Sequence, residues 1–262
     1  TPNDYVITSV AWCPDGDLFA VGAYNSLRLC DKSGWVRTKS VLNAGSLLNL
    51  AWTSDGTQVA GAGGNGTVVF AEVVGRTLEW QRIVAILEEN NRIKVHDVLN
   101  ETAEELDFRD RVIKWSLGFG HLIVATATQC CIYNTNNWNT PHIFDLKDTV
   151  TLILQCQAHF VMVDSFNGIQ LFSHEGRQIC NPKFQGLRTE FLNSQSISVA
   201  HDCISLIDSS NSKTIRSFDA AQGKGIGEAV VHTLEVTGVA LSQCGLTPDR
   251  KLTFIDRNRD LY

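Results

Sequence analysis

The chain has 262 residues, of which 44% are hydrophobic and 19% are charged, and its formal net charge is −6. This composition can form a sizeable apolar core and excludes a disordered chain. The acidic balance argues against nucleic-acid binding and against attachment to anionic membrane, because both need a surplus of Lys and Arg. No apolar run reaches the roughly 18–20 residues of a membrane helix, so we predict no direct membrane insertion.

An internal repeat opens the chain. The string VAWCPDG at residues 10–16 recurs as LAWTSDG at residues 50–56, an offset of 40. The same offset continues along the chain and aligns Asn25 with Asn65. A period of about 40 residues is typical of one β-propeller blade built from four short strands. The repeat therefore predicts an all-β, WD-repeat-like β-propeller.

Each of the first two units predicts four strands. Alternating or apolar runs rich in β-forming residues mark the strands, and Asp15-Gly16 marks a turn between them. The poorest run comes last and is predicted to be the outer strand. The predicted strands are 7–12, 18–21, 27–30 and 35–42 in the first unit, and 47–52, 59–62, 68–73 and 79–86 in the second.

Four weaker units follow, and the last of them is incomplete. Their predicted strands are 112–117, 121–126 and 130–133; 150–154, 160–163 and 169–172; 190–192, 197–200 and 203–207; and 234–241 with 252–256. We therefore expect about six visible blades with the last one truncated, as part of a seven-bladed ring. Residues 1–262 would form a single propeller domain within a longer protein.

The segment from Arg76 to Asp110 does not fit the period. Residues 92–98 and 103–108 predict an extra hairpin, spanning about 88–110, on the outer edge of the second blade. A short acidic helical turn over 99–107 is the alternative, since three glutamates cluster there. We favour the hairpin.

The third strand of each unit has a diagnostic position at which WD-type repeats commonly carry Trp. The residues aligned there are Cys30, Phe70, Tyr133, Phe172 and Ile207. The preceding turn position, usually Asp in such repeats, holds Asn25, Asn65, Thr128, Asn167 and Asp202. The repeat is thus a degenerate WD type without its Trp, and apolar packing between blades must contribute more of the stability.

Sequence motifs for catalysis or metal binding are missing. None of the eight cysteines, from Cys13 to Cys244, forms a C-x-x-C pair, and no two of the seven histidines have metal-ligand spacing. The glycine-rich run 223–227 lacks the Lys-Ser/Thr end of a phosphate loop, so it is interpreted as a blade connection. We predict no enzyme activity, no catalytic, cofactor-binding or metal-binding residues, and no cofactor.

Two basic clusters and one tryptophan are the candidate partner-binding residues. They are Arg109, Arg111 and Lys114; Arg250, Lys251, Arg257 and Arg259; and Trp138. The cations could receive an acidic partner, and an outer-strand Trp could be an interface anchor. The alternatives are a solvated strand edge that blocks edge-to-edge pairing, and ordinary rim packing for the indole.

Five segments carry a family resemblance: residues 7–16, 27–32, 107–114, 137–141 and 249–261. They resemble WD-repeat subunits of ciliary intraflagellar transport complex B, and specifically the second of the family's two propellers. The resemblance implies a non-catalytic scaffold that supports cilium assembly, with other complex B subunits as partners. It also implies a location at the cilium or flagellum and the basal body, on the cytoplasmic side.

Two other functions stay open from the sequence: a vesicle-coat or other trafficking scaffold, which shares the propeller plan, and a propeller enzyme. The family has no active-site motif to transfer, so the resemblance assigns no site residues. Homo- and hetero-oligomeric assembly are both compatible with the sequence.

Overall fold

A computed structural model describes residues 5–14, 16–54, 56–243 and 250–262. The predicted turn residues Asp15 and Asp55, as well as Cys244, lie outside the described residues. Regular structure in the described part consists of β-strands and one short 3-10 helix at Thr189–Phe191. Contacts divide the chain into two compact units, Thr1–Val74 and Gly75–Tyr262, here called unit 1 and unit 2.

Unit 1 is one antiparallel sheet of five strands in chain order. The strands are β1 (Ile7–Trp12), β2 (Leu18–Asp31), β3 (Val36–Trp52), β4 (Gln58–Gly63) and β5 (Val68–Glu72). The two separate four-stranded blades predicted for this region are therefore wrong in detail. β2 continues through the predicted turn at Asn25, and β3 joins the predicted outer strand 35–42 to the first strand of the second unit.

Asn25 explains the continuous strand. Its φ of 48° lies in the left-handed region that Asn tolerates. Its side-chain Oδ1 accepts the N–H groups of Ala44 at 3.2 Å and Gly45 at 2.8 Å. The side chain thus fixes β2 against β3, instead of closing the turn that the sequence predicts.

The two halves of unit 1 contact each other through residues about one sequence repeat apart. Trp52 Nε1 donates to Ala11 O at 2.9 Å, and Ser9 Oγ donates to Leu47 O at 2.7 Å. Leu47 and Val59 are buried in the apolar core of this unit. Close approach also explains Gly22, because a Cβ there would collide with Ser9 Oγ and stand 2.8 Å from Leu47 Cβ.

The described residues of unit 2 form four four-stranded antiparallel sheets and one two-stranded sheet. The first two sheets are β6 (Thr77–Trp80), β7 (Ile83–Glu89), β8 (Arg92–Asp97) and β9 (Thr102–Asp107), then β10 (Val112–Gly118), β11 (His121–Thr126), β12 (Gln129–Asn134) and β13 (Asn137–Asp145). The next are β14 (Val150–Gln155), β15 (His159–Asp164), β16 (Gly168–Ser173) and β17 (Gln178–Cys180), then β18 (Ile197–Val199), β19 (Cys203–Ile207), β20 (Thr214–Asp219) and β21 (Val230–Val231). The two-stranded sheet pairs β22 (Val236–Leu241) with β23 (Leu252–Asp256).

The hairpin predicted between residues 88 and 110 exists, but its assignment to the second blade is wrong. β8 and β9 pair antiparallel and belong to their own sheet with β6 and β7. The predicted strand 79–86 is in fact the β6–β7 hairpin, which turns at Gln81 with a φ of 53°. Gln is not a residue that signals such a turn, so the sequence hid this sheet.

In the fifth predicted sequence repeat, residues 190–207, the strands are assigned one position too late. Residues 189–191 form the 3-10 helix, and 197–199 and 203–207 are the first and second strands of their sheet. The third strand is β20, in which Phe218 occupies the fifth position, as Tyr133 does in β12 and Phe172 does in β16. Phe218 therefore replaces the predicted Ile207 at the diagnostic position.

A β-bulge recurs near the start of five first strands. The pairing register shifts between Ile7 and Ser9, Leu47 and Asn49, Val112 and Lys114, Val150 and Leu152, and Val236 and Gly238. A bulge leaves one residue out of the ladder and increases the local twist. Thr8, Thr151 and Thr237 occupy three of the bulges, and their hydroxyls donate to carbonyls of the paired strand at 3.2 Å.

Consecutive sheets of unit 2 also meet at the repeat distance. Trp115 Nε1 donates to Gly75 O at 2.9 Å, and Gln155 Nε2 donates to Ser116 Oγ at 2.9 Å. The backbone N–H of Leu241 donates to Ser198 Oγ at 3.0 Å. Buried side chains fill the space between neighbouring sheets, among them Phe160, Met162, Leu171 and Ile204. The sheets therefore stack in the same direction, so equivalent strand ends lie on the same face.

Trp115→Phe tests this stacking. Loss of the bond from the indole N–H to Gly75 O is expected to lower the free energy of unfolding by about 1 kcal/mol, since the phenyl ring keeps most of the apolar packing. Trp138→Phe is the control, because the Trp138 indole N–H has no hydrogen bond in the described part of the chain. Urea unfolding measures both variants; equal effects would contradict the assigned role.

Candidate functional site

Unit 2 presents two faces, defined by the ends of its strands. The leading face lies where the first strand of each sheet begins and the second strand of each sheet ends. Its segments are the connections 108–111, 146–149, 181–196 and 232–235 and the turns 127–128, 165–167, 208–213 and 257–260. The trailing face lies at the opposite ends. Hydrogen bonds join neighbouring segments across the leading face, such as Thr128 Oγ1 to Asp110 Oδ2 and Arg188 N to Ser209 Oγ.

The predicted cationic clusters do not each form one site. Arg109 and Arg111 lie on the leading face, as do Arg257 and Arg259. Arg250 and Lys251 lie on the trailing face at the start of β23. The second cluster is therefore divided between opposite faces, because β23 runs from one face to the other. Lys114 lies within β10, half-buried.

Arg250 belongs to an internal ion-pair network. Its side chain is only 7% exposed, and Nη2 lies 2.8 Å from Asp202 Oδ1. The guanidinium also donates to Ser242 O and, at 2.7 Å, to His201 Nδ1. Arg250 thus connects the β18–β19 turn to β23 through a largely buried side chain.

The other predicted residues differ in exposure. Arg109, Arg111, Lys251 and Arg259 are exposed, and no ion pair is found for them within the described ranges. Arg257 is exposed and its Nη1 lies 3.4 Å from Glu235 Oε2. The half-buried Trp138 lies on the trailing face, with its ring centroid 6.3 Å from that of Tyr133. Rim packing accounts for this contact.

The leading face also carries a surface that the sequence did not reveal, built around residues 181–190 between β17 and β18. Asn181 Nδ2 donates to Asn167 O at 3.1 Å, which attaches the connection to the β15–β16 turn. Arg188 N donates to Ser209 Oγ at 3.0 Å, which attaches it to the β19–β20 turn. The connection therefore spans two neighbouring sheets and is held at both.

Aromatic packing fixes the middle of this connection. The Phe184 ring stacks on Phe218, with centroids 5.7 Å apart and planes 22° apart. The Arg216 guanidinium lies over the Phe184 ring, 5.0 Å from its centroid. Its Nε–H donates a hydrogen bond to Asp208 Oδ2 at 2.7 Å. Burial alone would raise the pKa of Asp208, but hydrogen bonds from Ser210 and Arg216 outweigh it and hold the pKa below its usual range.

Four exposed side chains surround this anchored connection, and we name them the basic–aromatic patch: Phe166, Lys183, Arg188 and Lys213. Phe166 is 79% exposed at the tip of the β15–β16 turn. For the three cations, the described residues provide no carboxylate within ion-pair distance. The patch escaped the sequence analysis because its members are scattered from 166 to 213, on three segments that the stacked sheets place on one face.

A histidine pair lies on the trailing face between two sheets of unit 2. The rings of His121 and His174 stack in parallel, with centroids 4.0 Å apart. Burial, and then the neighbouring His121, lower the pKa of His174 to about 4. Its buried Nε2 has no hydrogen-bond partner among the described residues. The nearby His159 is also buried, and its Nε2–H donates to Ala200 O at 3.1 Å.

The cysteines and possible metal ligands of the described residues form no candidate site. Seven described cysteines are free thiols, and six of them are buried. Burial raises the pKa of six of these thiols, those of Cys30, Cys130, Cys131, Cys156, Cys180 and Cys203. In the described part of the chain, no group of three or more His, Cys, Asp or Glu is placed to hold a metal ion. Nor does any described helix have the length and apolar character to cross a membrane.

Repeated four-stranded antiparallel sheets, stacked at a 40-residue offset, define a WD-repeat-like β-propeller. The chain belongs to the family described as the IFT80 second beta-propeller, whose model matches residues 75–262. This confirms the resemblance to intraflagellar transport WD-repeat subunits that the sequence predicts.

Two curated relatives match the chain over its whole length. Each is an intraflagellar transport protein 80 homolog, one from Rattus norvegicus and one from Mus musculus, with 52% identity over 264 residues. The match covers 100% of this chain and 34% of each relative. The chain therefore spans about a third of the length of these relatives.

Solved structures also align with the chain, at low sequence identity. Kluyvelomyces marxianus Hsv2 aligns with a TM-score of 0.46 at 11% identity, covering 98% of this chain and 72% of that one. The beta-propeller domain of Myceliophteria thermophila Cps50 (Swd1) aligns with a TM-score of 0.47 at 11% identity, covering 99% of this chain and 96% of that one.

Proposed function

We propose that this chain is a non-catalytic scaffold propeller of intraflagellar transport complex B, which supports cilium assembly through protein–protein contacts. The observation that carries the proposal is the 52% identity to intraflagellar transport protein 80 homologs along the entire chain. The proposed partners are other complex B subunits. The proposed location is the cilium or flagellum and the basal body, on the cytoplasmic side.

The leading face supports a docking function. It consists of connections and turns, the parts of a fold that most often carry binding residues on a rigid scaffold. Arg109 and Arg111 extend from it without an ion pair in the described part of the chain. We propose them as contacts for an acidic partner. The single propeller domain over 1–262, and its membership of a seven-bladed ring, stay predictions.

Affinity capture of the full-length protein from ciliated cells tests the proposal. We expect complex B subunits among the captured proteins, and we expect R109E/R111E to reduce one or more of them, since charge reversal opposes an acidic partner. R177E/K224E, which changes two exposed trailing-face cations, is the control with the same change in charge. Capture of vesicle-coat subunits without complex B subunits would overturn the proposal.

A further inference from the structure

We propose that the basic–aromatic patch is a docking site for an acidic, extended peptide segment with an apolar side chain, supplied by a partner protein. The inference rests on the proposed function only in taking the partner to be a protein. It differs from the Arg109 and Arg111 contacts, which lie on another sheet connection.

The patch is a continuous surface, because its segments contact one another. Thr189 lies beside the β15–β16 turn, where a Cβ on Gly168 would stand 3.5 Å from Thr189 Cγ2. Asn181 bonds the same turn through Asn167 O. At the other end, Ser209 Oγ donates to Gly186 O at 3.3 Å. Phe166, Lys183 and Arg188 are therefore close to residues that contact each other directly.

The platform beneath the patch is rigid. Asp164 is 3% exposed and accepts bonds from the backbone N–H of Asn167 and, at 3.0 Å, from Gln170 Nε2, which fixes the turn that carries Phe166. The Phe184–Phe218 stack fixes the connection that carries Lys183 and Arg188. A preorganised surface loses little conformational entropy on binding, which favours affinity.

The patch is basic, although the chain as a whole is acidic. Lys183 and Arg188 lie exposed on the 181–190 connection and Lys213 lies exposed on the neighbouring β19–β20 turn, whereas the whole chain has a formal net charge of −6. Glu190 is the one exposed carboxylate of the 181–190 connection. A local cationic surface of this kind favours a short acidic ligand by electrostatic complementarity.

Phe166 adds an apolar element to the expected ligand. A ring that is 79% exposed at a turn tip is a large apolar surface in water. Aromatic residues of this type dominate binding energy when a partner buries them. An acidic segment with one apolar side chain would cover the ring and neutralise the cations together.

A nucleic acid or an anionic membrane fits the patch less well. Both are polyanions that favour many cations and a net positive protein, because affinity grows with the number of charges neutralised. Three cations on an acidic chain supply a local attraction only. The observations thus favour a peptide over either polyanion.

Fluorescence anisotropy with the full-length protein tests the site. The probe is a fluorescein-labelled peptide of alternating Asp and Glu with a central Phe. We expect K183E/R188E to weaken binding by about tenfold, because each reversal turns an attraction into a repulsion. Phe166→Ser is expected to weaken binding by about fivefold, through loss of the apolar contact. A peptide with Ser in place of Phe should bind the native protein and the Phe166→Ser variant equally.

R177E/K224E is the matched control, since it makes the same change in charge on the trailing face and should leave peptide affinity unchanged. Thermal unfolding establishes that all variants are folded. Unchanged affinity in K183E/R188E, or equal loss in R177E/K224E, would overturn the proposal. Tighter patch-dependent binding of a single-stranded oligonucleotide or of phosphatidylserine vesicles would overturn it too. Capture of complex B subunits by K183E/R188E at the native level would reject the patch and leave the proposed function intact.

Discussion

Arg250→Met is expected to lower the free energy of unfolding by about 3 kcal/mol, because it leaves the Asp202 carboxylate without its charge partner in a largely buried position. Both side chains are mostly inaccessible, at 7% for Arg250 and 13% for Asp202. The guanidinium also bonds His201 Nδ1 and Ser242 O, so the methionine leaves these acceptors unpaired as well. Urea unfolding of the purified protein measures the loss.

A double-mutant cycle separates the pair from its surroundings. In R250M/D202N the lone charge is removed, so the double variant should be less destabilised than the sum of the two single variants. Arg257→Met is the control, since its contact with Glu235 is exposed and should contribute under about 1 kcal/mol. A loss in Arg250→Met no larger than in Arg257→Met would contradict the structural role of Arg250.

Stability is expected to fall as the pH drops from about 6.5 to about 4, and His174 contributes to this fall beside His121 and His159, whose pKa values burial also lowers. The folded pKa of His174, lowered by burial and by His121 to about 4, lies below the unfolded value of 6.5. Folding therefore favours the neutral ring. This contribution to stability is fully present above pH 6.5 and is lost as the pH falls to 4. At pH 4 the loss amounts to about 3 kcal/mol.

His174→Phe tests the assignment, because phenylalanine cannot take up a proton and can stack on His121. We expect the variant to lose much less stability than the native protein between pH 6.5 and pH 4. Parallel stability curves for native protein and His174→Phe would show that another group governs the acid transition.

The parts of the fold that the sequence predicts well are those in which burial imposes a pattern. Strands such as β11, β15 and β16 are buried along nearly their whole length, so they appear as apolar runs. The hairpin of β8 and β9 was found for a related reason, since Ile93, Val95 and Leu106 form its buried side.

The errors arise where backbone conformation or tertiary contacts override local signals. Gln81 turns the chain at positive φ without a glycine or an asparagine, which hid the β6–β9 sheet. The apolar residues around 190–192 imitate a strand but lie at a 3-10 helix, which displaced the fifth unit by one strand. Among the predicted site residues, Arg250 pairs with a carboxylate 48 residues earlier, at Asp202, a contact that no local sequence pattern could reveal.

The recurring bulge near the start of the first strands has a consequence for how such a chain can change in evolution. Each bulge fixes strand register within its own sheet, as at Val112–Lys114 and Val150–Leu152. Duplication or deletion of one complete repeat therefore leaves the strand register within the remaining bulged sheets unchanged. Insertion of a single residue between the bulge and the strand end would turn the following side chains to the opposite side of the sheet. For strand register, then, a single inserted codon within these strands is a larger disturbance than a whole repeat gained or lost.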